Sequence, residues 1–427
     1  MLQIATYGDF STLIHERLKG RRAPMEVSIE LTHRCPLECQ HCYNNLPMGD
    51  VEARKQELSF AEHVRLLDEL REMGCLWILY TGGEVFARKD FLDIYGEAKK
   101  RGFLVTIFTN GTMITPKIAD YLTEYRPFAI EITLYGATRE TYERLTQVPG
   151  SFDRCMRGVR LLHERNLPLK LKTVPTTINF HEVYEMRRLA EEELGVEFKF
   201  DPLINPRTDC SQSPLSVRLS PEQVVSIDFR DPVRKAEFKK LAEEELDGLN
   251  RSLGAAKYSC GGGMNGCAID PKGEMTICVL SHQDGVNLRD GGFQQGWDGH
   301  LAEIREAKRE RKTICTRCQL QSLCSMCPAM GELESGDAET PVEFLCEVAH
   351  LRAYTLGLAV PEHGDCPCCL GGAHHERLTN SAQRLRNETA RSENIIPLKP
   401  MNSVLPVLSA PKGCGSGGCS SCGSHTR

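Results

Sequence analysis

From Met25 to about Asp201 the chain alternates short apolar runs with longer amphipathic ones. The short runs are EVSIEL (26–31), LWILYT (76–81), FLVTIFT (103–109), FAIEITLY (128–135), LKLKTV (169–174) and VEFKFD (196–201). β-Branched and aromatic residues dominate them, which predicts strands. The stretch FAEHVRLLDELREMG (60–74) predicts a helix, with Ser59 as N-cap, Gly74 at the C-terminus and Leu66, Leu67, Leu70 and Met73 along one face. A second helix is predicted over 181–195. Strands alternating with helices imply βαβ units and a parallel sheet with right-handed crossovers, and six rather than eight strands imply an incomplete barrel.

After Pro206 the texture changes. The loop DCSQSPLSVRLS (209–220) leads to a charged helical stretch at about 233–253. From Cys260 to about Leu358 the chain is cysteine-rich with few strands. Its clearest feature is a hairpin in CAIDPKGEMTIC, where Asp270-Pro271-Lys272-Gly273 suits a type I turn. Beyond about Ala359 the sequence turns rich in Gly, Ser, Cys, Asn and Pro and reads as a flexible tail. The expected organisation is an N-terminal segment (1–24), a barrel (25–210), a connecting segment (211–256), a cysteine-rich domain (257–360) and a tail (361–427).

The chain has 427 residues, 41% hydrophobic and 26% charged, with a formal charge of −6. That balance excludes a strongly basic nucleic-acid binder as a default. No apolar run reaches the roughly 20 residues a membrane span needs, and the N-terminus lacks the apolar core of a secretory signal, so a cytoplasmic location is expected. The basic stretch from Lys19 to Arg22 reads as a solvated face. The anomaly is 20 cysteines. Stable disulfides are rare in a reducing cytosol, so metal or redox work is the better reading.

The first cluster, THRCPLECQHCYN, follows the first strand. Cys35, Cys39 and Cys42 form C-x3-C-x2-C. Three thiolates on one loop can hold three irons of a cubane and leave the fourth open to an outside ligand. A zinc knuckle completed by His33 or His41 is the alternative.

This run, closed by the aromatic Tyr43, resembles the radical S-adenosylmethionine (radical SAM) family. Tyr80-Thr81-Gly82-Gly83-Glu84 ends the second strand as that family's glycine–glycine–glutamate motif does. Thr109-Asn110-Gly111-Thr112 and EITLYGA (131–137) are similar to its third and fourth strand ends. The resemblance covers about residues 25–210. It implies an α/β fold, a partial (β/α)6 barrel of TIM-like type, with the site at the C-terminal ends of the strands. It also implies S-adenosylmethionine as cofactor, chelated through its amine and carboxylate to the open iron. Gly82 and Gly83 would let backbone approach that ligand, and Glu84 would either meet its ammonium or shape the turn. Tyr43 would pack near the adenine. Asn110 and Thr133 would either bond ribose or carboxylate or cap their strand ends. Lys172 either neutralises a carboxylate inside the barrel or is an outward, solvated lysine. Asp201 and Arg207 either face substrate or form a surface pair.

Cys260, Cys267 and Cys278, then Cys315, Cys318, Cys324, Cys327 and Cys346, supply eight more thiols. Two four-cysteine zinc sites would use the same count. The order, with CTRCQLQSLCSMC at its centre, resembles the SPASM extension of radical SAM enzymes, although two residues rather than three precede Cys327. That resemblance assigns Cys260, Cys267, Cys278 and Cys327 to one auxiliary cluster and Cys315, Cys318, Cys324 and Cys346 to another, giving three 4Fe–4S clusters in all. Cys75, Cys155 and Cys210 read as buried apolar residues. Cys366, Cys368 and Cys369 near His363, His374 and His375, and Cys414, Cys419 and Cys422 near His425, either bind metal or lie in a disordered tail.

The implied function is an oxygen-sensitive enzyme that cleaves S-adenosylmethionine reductively to a 5′-deoxyadenosyl radical, which removes hydrogen from a peptide or protein side chain. Tetrapyrrole or other small-molecule synthesis by the same chemistry is the alternative. A non-catalytic iron–sulfur carrier and a zinc-stabilised interaction protein are remoter readings. A flavodoxin or ferredoxin would supply electrons, and a separate protein could present a peptide, because only about 25 residues precede the barrel. Val279 follows Cys278 where sulfatase-maturing relatives carry an aspartate, and the terminal Gly-Gly of molybdopterin-forming relatives is missing. Both departures argue against those two activities.

Overall fold

The computed structural model describes residues 7–246, 256–281 and 285–392. They divide into two compact units, one of residues 18–218 with 261–281 and 285–305, the other of 7–17, 219–246, 256–260 and 306–392.

The first unit is built on one sheet. Its strands are β1 (Glu26–Glu30), β2 (Trp77–Thr81), β3 (Leu104–Thr109), β4 (Ala129–Thr133), β5 (Leu169–Thr173) and β6 (Glu197–Phe200). They pair parallel in that order, each joined to the next through helix, as the alternating pattern requires. Each strand lies within two residues of its expected run. The helix Phe60–Glu72 starts on a complete capping box between Ser59 and Glu62 and buries Leu66, Leu67 and Leu70. The apolar layer between sheet and helices includes Val27, Ile29, Ile78, Tyr80, Ile107, Ile130 and Leu171, all at most 1% exposed.

The expected hairpin forms from β7 (Gly266–Ile269) and β8 (Glu274–Thr276), and β9 (Val286–Asn287) pairs beyond it. Gly273 N–H donates to the Asp270 carbonyl at 3.0 Å and adopts φ +88, which closes the turn. The sequence pattern missed where the hairpin goes. β7 pairs parallel with β1, so it continues the barrel sheet. Arg22 is no solvated residue: its guanidinium lies over the Trp297 ring and donates to the carbonyls of Trp297 and Gly263.

The second unit is helical. Pro221–Arg230, absent from the sequence reading, begins on a capping box between Ser220 and Gln223. The charged stretch forms Pro232–Leu246, and its further part, 247–253, lies outside the described residues. Asp228 is fully buried. It accepts from Arg234 at 2.6 Å and Arg352 at 2.7 Å, which satisfies a charge that would otherwise be costly there. The segment expected as a tail departs from that reading. His375–Ser392 is a helix packed on Glu343–Leu356, and Cys366, Cys368 and Cys369 are buried. Cys414, Cys419, Cys422 and His425 lie outside the described residues.

Candidate active site and iron–sulfur centres

The loop after β1 carries Cys35, Cys39 and Cys42 into one small cluster with Leu37, walled by Tyr135 and Val148. Burial pushes the Cys35 thiol up to about 12 and raises those of Cys39 and Cys42. Thiols held neutral by desolvation, Cys35 and Cys39 buried and Cys42 partly so, are unfavourable as polar groups and favourable as ligands, because a bound cation supplies the charge that lets them ionise. The Leu37 N–H and the Asn110 side-chain amide both reach Cys35 Sγ at 3.5 Å, ready to steady a thiolate. The donor set therefore fits an iron–sulfur cluster.

The glycine motif meets this loop from behind. A Cβ on Gly82 would sit 2.3 Å from the Thr32 carbonyl oxygen, and one on Gly83 would sit 2.5 Å from that of His33. Gly83 N–H donates to the Thr32 carbonyl at 2.7 Å and Glu84 N–H to that of Arg34 at 3.1 Å. The two glycines thus admit the chain's own cysteine loop. Glu84 is fully buried, and burial lifts its carboxyl to about 7. It accepts from Thr109 Oγ1 at 2.7 Å, Asn110 N–H at 2.8 Å and Phe86 N–H at 3.2 Å. It therefore ties the end of β2 to the end of β3, which is the turn-shaping role.

Asn110 turns its side-chain oxygen to the Thr112 N–H and hydroxyl, a strand-end cap, while its amide serves Cys35. Tyr43 donates its hydroxyl to buried Glu30 at 2.9 Å, and Asn44 donates to the same oxygen at 2.6 Å. Thr133 closes β4, opposite Lys172 in register. His33 is engaged by Glu30 at 3.2 Å, and His41 packs its ring against Tyr135.

Arg207 makes only a 3.8 Å contact with exposed Asp209 on the surface, and its main bonds turn inward. It donates to the Cys42 carbonyl at 3.1 Å and to the Asn45 side chain and carbonyl, both at 2.8 Å, so it clamps the far end of the cysteine loop. Asp201 is exposed and caps Leu203 N–H at 3.0 Å. Lys172 is largely buried and turned into the barrel, not outward. It pairs with Glu131 at 3.2 Å across the Phe108 ring, and Lys199 reaches the other Glu131 oxygen at 2.7 Å. Lys199 stands directly opposite Lys172 in register, and Glu131 lies two positions from Lys172's other partner, Thr133, so the three share the interior face. Charged residues at alternating positions inside strands were the available signal for Glu131 and Lys199.

The auxiliary cysteines are arranged in part. Cys315, Cys318, Cys324 and Cys346 line one pocket together with Met326, His350 and His363. Burial pushes the Cys327 thiol up to about 11, and Cys260 nearby adds to the rise. Cys267 sits on β7 beside Cys75, and Cys278 follows β8, both in the barrel unit. Cys75 and Cys155 are buried as expected. Cys210 is not: it is half-exposed in a turn at φ +65.

No helix among the described residues is long and apolar enough to cross a membrane. Comparison with known proteins agrees with the geometry. Residues 29–190 match the family model of the radical SAM superfamily. The chain is 30% identical over 305 residues to mycofactocin maturase MftC of Mycobacterium tuberculosis, covering 69% of this chain and 76% of that one. It is 33% identical over 325 residues to the Fe-coproporphyrin III synthase of Methanosarcina barkeri, covering 69% and 80%. Its fold is similar to that of Streptococcus suis SuiB bound to precursor peptide SuiA, at a TM-score of 0.57 and 14% identity, covering 79% and 80%. The cysteine loop, its buttressing motif and these relatives together show that the chain belongs to the radical SAM superfamily, as an enzyme that binds S-adenosylmethionine and an iron–sulfur cluster.

Proposed function

We propose that this enzyme removes hydrogen from a peptide or protein side chain, as a cytoplasmic maturase with three 4Fe–4S clusters. The observation that carries the reading is the three-cysteine loop gripped between Gly82-Gly83 on one side and Arg207 on the other. Cys35, Cys39 and Cys42 hold the first cluster. Gly82, Gly83, Glu84 and Asn110 fix that loop and the strand ends around the S-adenosylmethionine site, which Tyr43 and Thr133 border. When bound, the cluster and cofactor supply a 5′-deoxyadenosyl radical, chemistry no side chain here offers. Cys260, Cys267, Cys278 and Cys327 would ligate one auxiliary cluster and Cys315, Cys318, Cys324 and Cys346 the other, each with four thiolates and no open iron, which suits electron transfer. A flavodoxin or ferredoxin is the reductant. SuiB, of similar fold, is seen with a precursor peptide, which supports the peptide reading.

A second reading, a tetrapyrrole or other small-molecule substrate, is favoured by the 33% identity to Fe-coproporphyrin III synthase. Lys172 and Lys199 flank Glu131 on the interior face, where a carboxylate of either substrate class would find amine donors.

The test is the Cys35→Ala/Cys39→Ala/Cys42→Ala variant beside wild type, both reconstituted anaerobically. Wild type should hold about 12 iron and the variant about eight, following the proposed cluster count. Only wild type should form 5′-deoxyadenosine on reduction. Equal iron in both, or cleavage by the variant, would overturn the assignment.

A further inference from the structure

Outside the sites above, the second unit gathers His350, His363, Cys366 and Cys369, all buried, with one ligand atom from each within 4.8 Å of the others. We propose that these four residues hold a single tetrahedral zinc-class ion, separate from the iron–sulfur clusters.

The distances carry the argument. With Zn–S of about 2.3 Å and Zn–N of about 2.0–2.1 Å, a tetrahedron has S···N edges of about 3.6 Å. His350 Nε2 lies 3.7 Å from Cys366 Sγ and 3.6 Å from Cys369 Sγ. The His363 ring lies edge-on to Cys369 Sγ, with Nδ1 at 3.4 Å and Nε2 at 3.9 Å. The second layer points the same way. His350 Nδ1 faces the Cys346 carbonyl at 2.8 Å, and His363 Nδ1 faces the Pro361 carbonyl at 3.0 Å. Each ring thus has a carbonyl to take its Nδ1–H, which leaves Nε2 as a lone pair for metal, the usual arrangement of ligating histidines. The segment Cys366-Pro367-Cys368-Cys369 is a C-x2-C knuckle, folded by the Cys369 N–H to Cys366 carbonyl bond at 3.2 Å. Tyr354 donates to the Cys368 carbonyl at 2.7 Å and steadies it.

A competing set, Cys346, His350, Cys366 and Cys368, shares two members with the first, so both cannot be filled at once. Cys346 lies 3.7 Å from Cys366, but it also lines the cavity of Cys315, Cys318 and Cys324. Assigning Cys346 to iron rests on the function proposed above, and it leaves the two-histidine, two-cysteine set for zinc. Four protein ligands leave no open position, so the ion is structural. On binding, both thiols give up their protons to solvent. His350 and His363 also line that cavity, so the ion would set one wall of the second auxiliary site.

The test uses the full chain purified anaerobically without added zinc. Elemental analysis should find one zinc per chain beside iron, and zinc-edge X-ray absorption should show two sulfurs and two nitrogens. Zinc should persist in Cys35→Ala/Cys39→Ala/Cys42→Ala, so failure of the first-cluster assignment would not touch it. It should persist in Cys368→Ser and Cys346→Ser and vanish in Cys369→Ser. Zinc kept in Cys369→Ser but lost in Cys368→Ser would overturn the assignment in favour of the competing set. Wild type with no zinc, or with a four-sulfur or three-sulfur edge spectrum, would overturn it without any variant having to fold.

Discussion

The contact between the glycine pair and the cysteine loop can be tested one methyl group at a time. An alanine Cβ at position 82 would lie 2.3 Å from the Thr32 carbonyl oxygen, and one at 83 would lie 2.5 Å from that of His33 and 2.7 Å from that of Arg34. An ordinary C···O contact is about 3.3 Å, so the loop must retreat by about 1.0 Å in the first case and about 0.8 Å in the second. The obstructing atoms are backbone, which cannot swing aside, so each overlap costs about 1–3 kcal/mol. Gly82 also sits at φ +122, a conformation that costs a residue with a side chain about 1–3 kcal/mol more. Gly82→Ala should therefore cost about 2–6 kcal/mol and Gly83→Ala about 1–3 kcal/mol. Gly102 is the control: it has φ +86 and nothing within 4 Å of an added Cβ, so Gly102→Ala isolates the backbone term. Urea unfolding of the metal-free chains should rank Gly82→Ala below the other two. Reconstitution should then leave Gly82→Ala short of about four irons, one cubane, and without 5′-deoxyadenosine formation, while Gly102→Ala keeps both. If Gly82→Ala matches Gly102→Ala in midpoint and iron, the glycines do not serve the loop and the close approach is not functional.

Three further outcomes follow from other contacts. Arg207→Ala deletes the three bonds to Cys42 and Asn45, so the first cluster should be lost to a chelator several-fold faster than in wild type; an unchanged rate would show that the clamp is idle. Burial drives Lys172 down from 10.5 to about 7, so between those values the unfolded chain binds a proton the folded one lacks. Stability should rise with pH across that window by up to about 1.4 kcal/mol per unit, and Lys172→Met should flatten the rise in pH-dependent urea titrations. Cys346→Ala and Cys327→Ala should each remove a different component of the paramagnetic spectrum and lower product relative to 5′-deoxyadenosine; loss of the same component in both would refute the interlaced ligand sets.

The barrel was legible because each strand is a run of β-branched and aromatic residues between turn signals, and because local pairing fixes its ends within two residues. What sequence could not give was partnership at a distance. Nothing in GCAI (266–269) announces that it will pair with β1, since a four-residue strand has no pattern that names its neighbour. Arg207 lies more than 160 residues from the loop it clamps, and only the return of the chain after β6 brings it there. Sequence leaves Lys172 open between inside and outside, because a lone lysine in a strand is solvated by default. Glu131, two strand positions from Thr133, reverses that default by supplying a buried countercharge. The C-terminal segment was misjudged on composition. Glycine, proline and cysteine over 361–374 look like a tail until His350, on the preceding helix, is seen to lie with Cys366 and Cys369.

These errors share a physical cause that also explains the first site. A loop of eight residues bearing three thiols has almost no apolar area with which to hold itself in place, so its geometry must be imposed by neighbours. β2 presses against it through two residues without side chains. β3 reaches it through Asn110, itself held by Glu84. The chain after β6 closes it through Arg207. Each support comes from the C-terminal end of a different strand, and a parallel barrel is the arrangement that brings those ends to one rim. The dispersed motifs of the sequence are thus parts of one mount, and the glycine–glycine–glutamate segment acts on the cysteine loop before any cofactor arrives. An enzyme whose cluster must keep one iron open cannot add a fourth cysteine to stiffen the loop. It has to obtain that stiffness from hydrogen bonds and close backbone contact.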